Sequence, residues 1–212
     1  DFADLAWDPN PDLVPCFDIY LKAARALGFA CKIHADGADP ASAIDLAVRH
    51  GVAGVDHLEY ATELHARQMA AAGISATLLP GVSFNTDGQA PPARTLIDAG
   101  VAIALGTNFN SHHTPILSMQ TIIALASWRC RMILEEAISA ATINGAHALG
   151  CADRPGSRDP GKSADLLILN SADYRDLATN IGTNHVHRTM KRGKFIYKEG
   201  AVTARPPRVA IP

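Results

Sequence analysis

Several things are scarce in this chain of 212 residues, and each scarcity removes a class of function. Charge of one sign is missing: 19 Lys and Arg face 21 Asp and Glu, for a formal net charge of −2. With no basic face or acidic tail, neither nucleic acid nor an anionic membrane surface is an expected partner. Long hydrophobic runs are missing too. The longest are strand-length, too short to span a bilayer. The first residues lack the charged and apolar regions of a secretory leader. An opening Asp1 in place of Met is what a processed chain or a piece of a longer one would show. Cysteines number four, at positions 16, 31, 130 and 151, with no CxxC pair. They are expected to be reduced thiols in a cytoplasmic protein. No Gly-x-Ser-x-Gly context surrounds Ser75, Ser83 or Thr107, so a serine nucleophile is not expected. Gly145 and Gly150 do not form a phosphate loop, and Arg154 and Arg158 read as part of a turn.

What is present is a repeat of helix, glycine, strand and polar loop. Residues 2–7 read as the tail of a strand. Leu13, Phe17, Tyr20, Leu21, Ala24 and Leu27 recur at helical spacing until Gly28. Strands are expected at 30–34, 52–57, 74–79 and 101–106, with helices at 40–50, 62–72 and 91–99 between them. Further helices are expected at about 115–131 and 134–149. Such alternation implies a parallel sheet with helical cover. Four full strands and a stub fall short of the eight that close a (β/α) barrel. Residues 151–163 form a Gly-, Pro- and Arg-rich loop. Short strands are then expected at 164–169, 186–190 and 194–198. The division is therefore 1–150 for the partial barrel and 151–212 for the loop and closing strands.

Polar groups sit where strands end. His34 follows the apolar run of one strand, His57 follows the next, and Asn108 follows Ile103-Ala104-Leu105-Gly106-Thr107. Parallel strands with polar groups at their C-terminal ends are how a barrel builds an active site. A hydrolytic metal site needs about three convergent protein ligands and a water. His34 suits that role; Asn108 offers only a neutral carbonyl oxygen. Alternation along the strand places Asp56 on the side opposite His57, which makes Asp56 a structural residue, while Glu59 flanks the histidine. His112 and His113 are adjacent in a loop and point to a solvated turn. His185 and His187 have the spacing that puts both rings on one strand face, but in the C-terminal strands.

Residues 29–198 resemble the C-terminal half of the metal-dependent amidohydrolases, most closely their imidazolonepropionase branch. The resemblance rests on His34-Ala35-Asp36, Asp56-His57-Leu58-Glu59-Tyr60, Leu78-Leu79-Pro80-Gly81, Gln89-Ala90-Pro91-Pro92 and Ala104-Leu105-Gly106-Thr107-Asn108-Phe109-Asn110. Ala141-Thr142-Ile143-Asn144-Gly145-Ala146 and Pro160-Gly161-Lys162-Ser163-Ala164-Asp165-Leu166 complete it. It implies an α/β fold, the C-terminal half of a (β/α)8 barrel followed by strands of a small β-sandwich. It also implies hydrolysis of a cyclic amide C–N bond by water on zinc or iron, as in histidine degradation. His34 is then a metal ligand and His57 a substrate contact and catalytic residue. Asn108 stands where the family has a metal-binding aspartate that also accepts a proton. Gly37 stands where the family has a glutamate that orients the water. The family's His-x-His pair belongs to an N-terminal half that these 212 residues do not include. The expectation is an impaired hydrolase, or else a repurposed scaffold that binds a small ligand or a partner protein. A parallel sheet with two open edges is further expected to pair with a second copy or with a separate N-terminal half.

Overall fold

A computed structural model describes residues 1–35 and 40–198. The chain enters through β1 (Phe2–Ala6), then α1 (Val14–Ala26), β2 (Ala30–Ala35), α2 (Pro40–His50), β3 (Gly54–His57), α3 (Glu63–Ala72) and β4 (Ser75–Leu78). There follow α4 (Pro80–Asn85), α5 (Ala93–Asp98), β5 (Ile103–Leu105), α6 (Met119–Arg129), α7 (Leu134–Ala141) and α8 (Ile143–Ala148). The last elements are β6 (Leu166–Leu169), α9 (Asp176–Thr179), β7 (Val186–Lys191) and β8 (Lys194–Lys198).

The first five strands form one sheet in chain order β1-β2-β3-β4-β5, and every pairing is parallel. This is the expected half barrel, with β1 and β5 at its edges. The strands after residue 164 form a separate antiparallel sheet, β6-β7-β8, and do not extend the parallel one. The expected helix at 134–149 is broken at Thr142, whose φ of −123° and ψ of −93° leave the helical region. The short helices α4 and α9 have no strong periodic signal. α4 begins at Pro80, whose fixed φ suits a first helical turn.

Two faces of the sheet have different chemistry. Leu5, Ile33, Val55, Ala76, Leu78 and Ile103 are buried against the helices, with Ile44, Met69, Leu96 and Ile122 packed over them. Burying one such side chain contributes about 1.5–3 kcal/mol, so this layer holds the sheet together. The other face carries Asp4, Lys32, His34, Asp56 and Thr77, placed together by the register Asp4↔Lys32, His34↔Asp56 and Asp56↔Thr77. The surface that would line the barrel is therefore polar. Gly54 is the small residue in this lining. A Cβ there would lie 2.8 Å from Ser75 Oγ and 3.3 Å from Ser75 O, so any larger residue would crowd the neighbouring strand.

At the β5 edge, Asn144 Nδ2 donates to Ile103 O at 3.0 Å. One outward carbonyl of that edge is thus already satisfied by α8.

Helix α2 is tied to α1 at its C-terminal end. His50, which is buried, lies 2.5 Å through Nε2 from Asp18 Oδ1, and Arg25 donates to His50 O. The hydrogen bond from His50 is the main cause that holds the Asp18 carboxyl below its ordinary value. A depressed carboxyl adds stability above its unfolded-state pKa, and that contribution is lost as pH falls through the folded-state value. The expected result is that the melting-temperature gap between wild type and Asp18→Asn is full near neutrality and shrinks below about pH 4. Thermal melts of the two proteins across that range check it.

Candidate active site

All three residues singled out from the sequence lie at the C-terminal ends of their strands. His34 is on β2, His57 closes β3, and Asn108 follows β5. The structure brings the first two into contact. His34 Nε2 and His57 Nε2 are 3.0 Å apart, with the rings edge-to-face at a centroid distance of 4.4 Å. Asn108 is not in direct contact with either. Its φ is +46°, and Asn110 Nδ2 donates to its carbonyl oxygen at 2.8 Å. Among the described residues its carboxamide has no hydrogen-bond partner. Gly37 lies outside the described residues.

The His57 contact depends on an unusual turn. His57 has φ +77° and Leu58 φ +69°, two successive non-glycine residues in the left-handed region. Each such residue costs on the order of 1–2 kcal/mol. The turn breaks the strand's alternation, so His57 swings to the polar face although Asp56 already occupies it. It also folds Glu59 back, so that Glu59 Oε1 is 3.2 Å from His57 Nδ1. Gln89 Nε2 holds the Glu59 carbonyl at 2.8 Å. His57 is 1% exposed and Glu59 9%. Cys130 lies nearby, and its thiol is pushed up to about 12 by burial, with the Glu59 charge adding to the effect. A thiol so raised stays neutral and is not a nucleophile.

Asp56 corrects the sequence reading. It faces the same side as His34 because the two are register partners. Lys32 Nζ is 3.2 Å from Asp56 Oδ1, and His34 Nδ1 is 3.8 Å from Asp56 Oδ2. Burial would raise the Asp56 carboxyl, but His34, the Lys32 charge and Thr77 together hold it below its ordinary value. The result is a continuous polar line: Lys32, Asp56, His34, His57, Glu59. The period-2 pattern of Lys32 and His34 on β2, set against Gly54 and Asp56 on β3, carried this signal.

The remaining candidates have other employment. Ser75 Oγ donates to Ala53 O, and Ser83 Oγ to Pro80 O. Thr107 Oγ1 accepts from Phe109 N. His112 and His113 are exposed, and their backbone amides donate to Asn110 Oδ1. His185 is buried against Asn180 O in the C-terminal region.

The donor set fits part of a metal site. Two nitrogens on one tetrahedral zinc, each at about 2.0–2.1 Å, stand about 3.4 Å apart. The His34–His57 spacing is close to that. Among the described residues no group of three His, Cys, Asp or Glu side chains is placed to hold an ion.

A parallel half barrel with polar side chains gathered at its C-terminal end is the scaffold of a (β/α)-barrel protein. Residues 3–197 match the amidohydrolase family, and the chain belongs to it. The chain is 42% identical over 182 residues to an imidazolonepropionase of Geobacillus thermodenitrificans, covering 86% of this chain and 43% of that protein. An imidazolonepropionase of Deinococcus deserti is 42% identical over 173 residues, with 82% and 43% covered. The chain thus spans less than half the length of these relatives. Among solved structures, the fold is similar to N-isopropylammelide isopropylaminohydrolase from Burkholderia multivorans. There the TM-score is 0.75 at 18% identity, covering 95% of this chain and 56% of that one. It is also similar to a zinc-bound adenosine deaminase from Xanthomonas campestris, with TM-score 0.71 at 22% identity and coverage of 91% and 51%.

Proposed function

We propose that this chain is the C-terminal half barrel of an imidazolonepropionase-type hydrolase, acting on the C–N bond of a small cyclic amide, with activity lowered by Asn108. The observation that carries this is the meeting of His34 and His57 at 3.0 Å on the polar face of the sheet. A zinc or iron ion, when bound, supplies a water acidified toward neutrality. His34 is the ligand this chain provides. His57, fixed by Glu59, is placed to touch the substrate. Asn108 stands where a proton acceptor is needed, and an amide cannot accept one.

The open edges at β1 and β5 and the polar lining need a complement, either an N-terminal half or a second copy of this chain. The decisive experiment mixes the chain with the N-terminal half of the Geobacillus thermodenitrificans relative. Light scattering should show a joint species, and amide hydrolysis should be absent from each half and measurable in the mixture. A joint species without hydrolysis would favour the second reading, a repurposed binding scaffold, to which the neutral Asn108 already lends weight. No association with either the half or itself would overturn the proposed assembly.

Metal binding gives a further expected result. Alone, with one or two imidazoles and no third ligand, the chain should keep well under one equivalent of zinc after dialysis. Elemental analysis checks it, and His34→Ala should remove what remains. Tightly held stoichiometric zinc would show that other side chains complete the site.

A further inference from the structure

We propose that Glu59 is a positioning residue that fixes the tautomer of His57, holding the proton on Nδ1 so that Nε2 faces His34 as a lone pair. The assignment concerns how His57 presents itself and stands whether or not the assembled protein hydrolyses an amide.

The argument starts from the backbone. Two consecutive left-handed residues, His57 and Leu58, are a costly local conformation for side chains that carry a Cβ. What that conformation achieves is the return of Glu59 to Nδ1 of the histidine two residues before it. The return is then locked, since Gln89 Nε2 donates to the Glu59 carbonyl at 2.8 Å. The carboxylate is left with His57 Nδ1 at 3.2 Å.

A carboxylate only accepts hydrogen bonds, and a neutral imidazole has one donor and one acceptor. At 9% exposure Glu59 has little water to turn to, and an unmatched carboxylate there is expensive. The proton of neutral His57 therefore sits on Nδ1. Free histidine side chains prefer the opposite tautomer, with the proton on Nε2, so the structure imposes this state. The consequence runs across the 3.0 Å contact. His57 thus presents an acceptor, not a donor, to the His34 ring. His57 is thereby primed to bind an electrophile or accept a proton through Nε2. An acceptor behind a histidine commonly sets which ring nitrogen is available.

Long-range proton–nitrogen spectra of the metal-free, 15N-histidine-labelled chain at alkaline pH test this directly. His57 is assigned by the signal lost in His57→Gln. The expected wild-type pattern is a protonated Nδ1 and an unprotonated Nε2, with the Nδ1 proton slow to exchange because the ring is 1% exposed. In Glu59→Ala the pattern should move to the Nε2–H form while the His50 and His185 signals stay in place. A wild-type His57 on the Nε2–H tautomer overturns the proposal, and so does a folded Glu59→Ala that keeps Nδ1–H. Should Glu59→Ala not fold, the wild-type spectrum decides alone. A merely structural Glu59 would alter stability without moving the tautomer.

Discussion

Asn108→Asp should raise amide hydrolysis by about 10²–10⁴-fold in the protein reconstituted from both halves, the range set by restoring one catalytic proton acceptor. The local structure makes this substitution unusually clean. Asn108 has φ +46°, a conformation that asparagine and aspartate tolerate better than other residues with a Cβ. The backbone therefore has no reason to move. The carboxamide has no hydrogen-bond partner among the described residues, so no existing contact is broken. What changes is charge and basicity at the end of β5. Zinc content should rise with the rate, because a carboxylate is a stronger ligand than an amide oxygen. Steady-state kinetics and elemental analysis on matched preparations check both. A rate unchanged within a factor of two, with more zinc bound, would mean that proton acceptance at 108 is not the limiting defect. A rate and a zinc content both unchanged would leave the scaffold reading in possession of the site.

Much of the architecture could be read from the chain because a parallel sheet repeats one simple pattern. Glycines at 28, 51, 73 and 100 have φ between +54° and +90°, and each closes a helix or its last turn just before a strand. That punctuation, with apolar runs after it, places β2, β3, β4 and β5 to within a residue or two. The two short helices escaped because α4 and α9, of six and four residues, are too brief for a period of 3.6 to show. The break at Thr142 escaped because the apolar pattern continues through it.

The site was legible as residue types and not as geometry. His34 and His57 are visible as strand-end histidines. Their contact is not visible, because it depends on two left-handed residues that no periodicity announces. The same turn explains the error over Asp56. Alternation puts Asp56 and His57 on opposite faces, which holds for a regular strand. His57 is the residue that departs from the strand, so it was His57, and not Asp56, whose direction the rule misjudged. Glu59 was legible only as a neighbour in sequence. Its role needed the fold-back that brings its carboxylate to Nδ1.

Asp56→Ala should destabilise the chain by about 3 kcal/mol, the largest stability effect expected of any single polar substitution in the lining. Lys32 and Asp56 are 3.2 Å apart, with their side chains 15% and 14% exposed. Little water can replace the lost partner. The charge left behind carries most of the cost. Replacing both partners by apolar groups, Lys32→Met with Asp56→Leu, should recover much of the loss, since a buried pair exchanged whole is often near neutral. An exposed comparison sharpens the point. Glu63 and Arg67 form an ion pair one helical turn apart, with side chains 68% and 67% exposed. Glu63→Ala should cost no more than about 0.5 kcal/mol. Urea denaturation of the four proteins measures all of this on one scale. If Asp56→Ala were as mild as Glu63→Ala, the lining would be wet enough to solvate a lone ammonium. The histidines next to this pair would then stand in a wet lining as well. The stability of this one pair therefore reports on the environment in which the histidines would act.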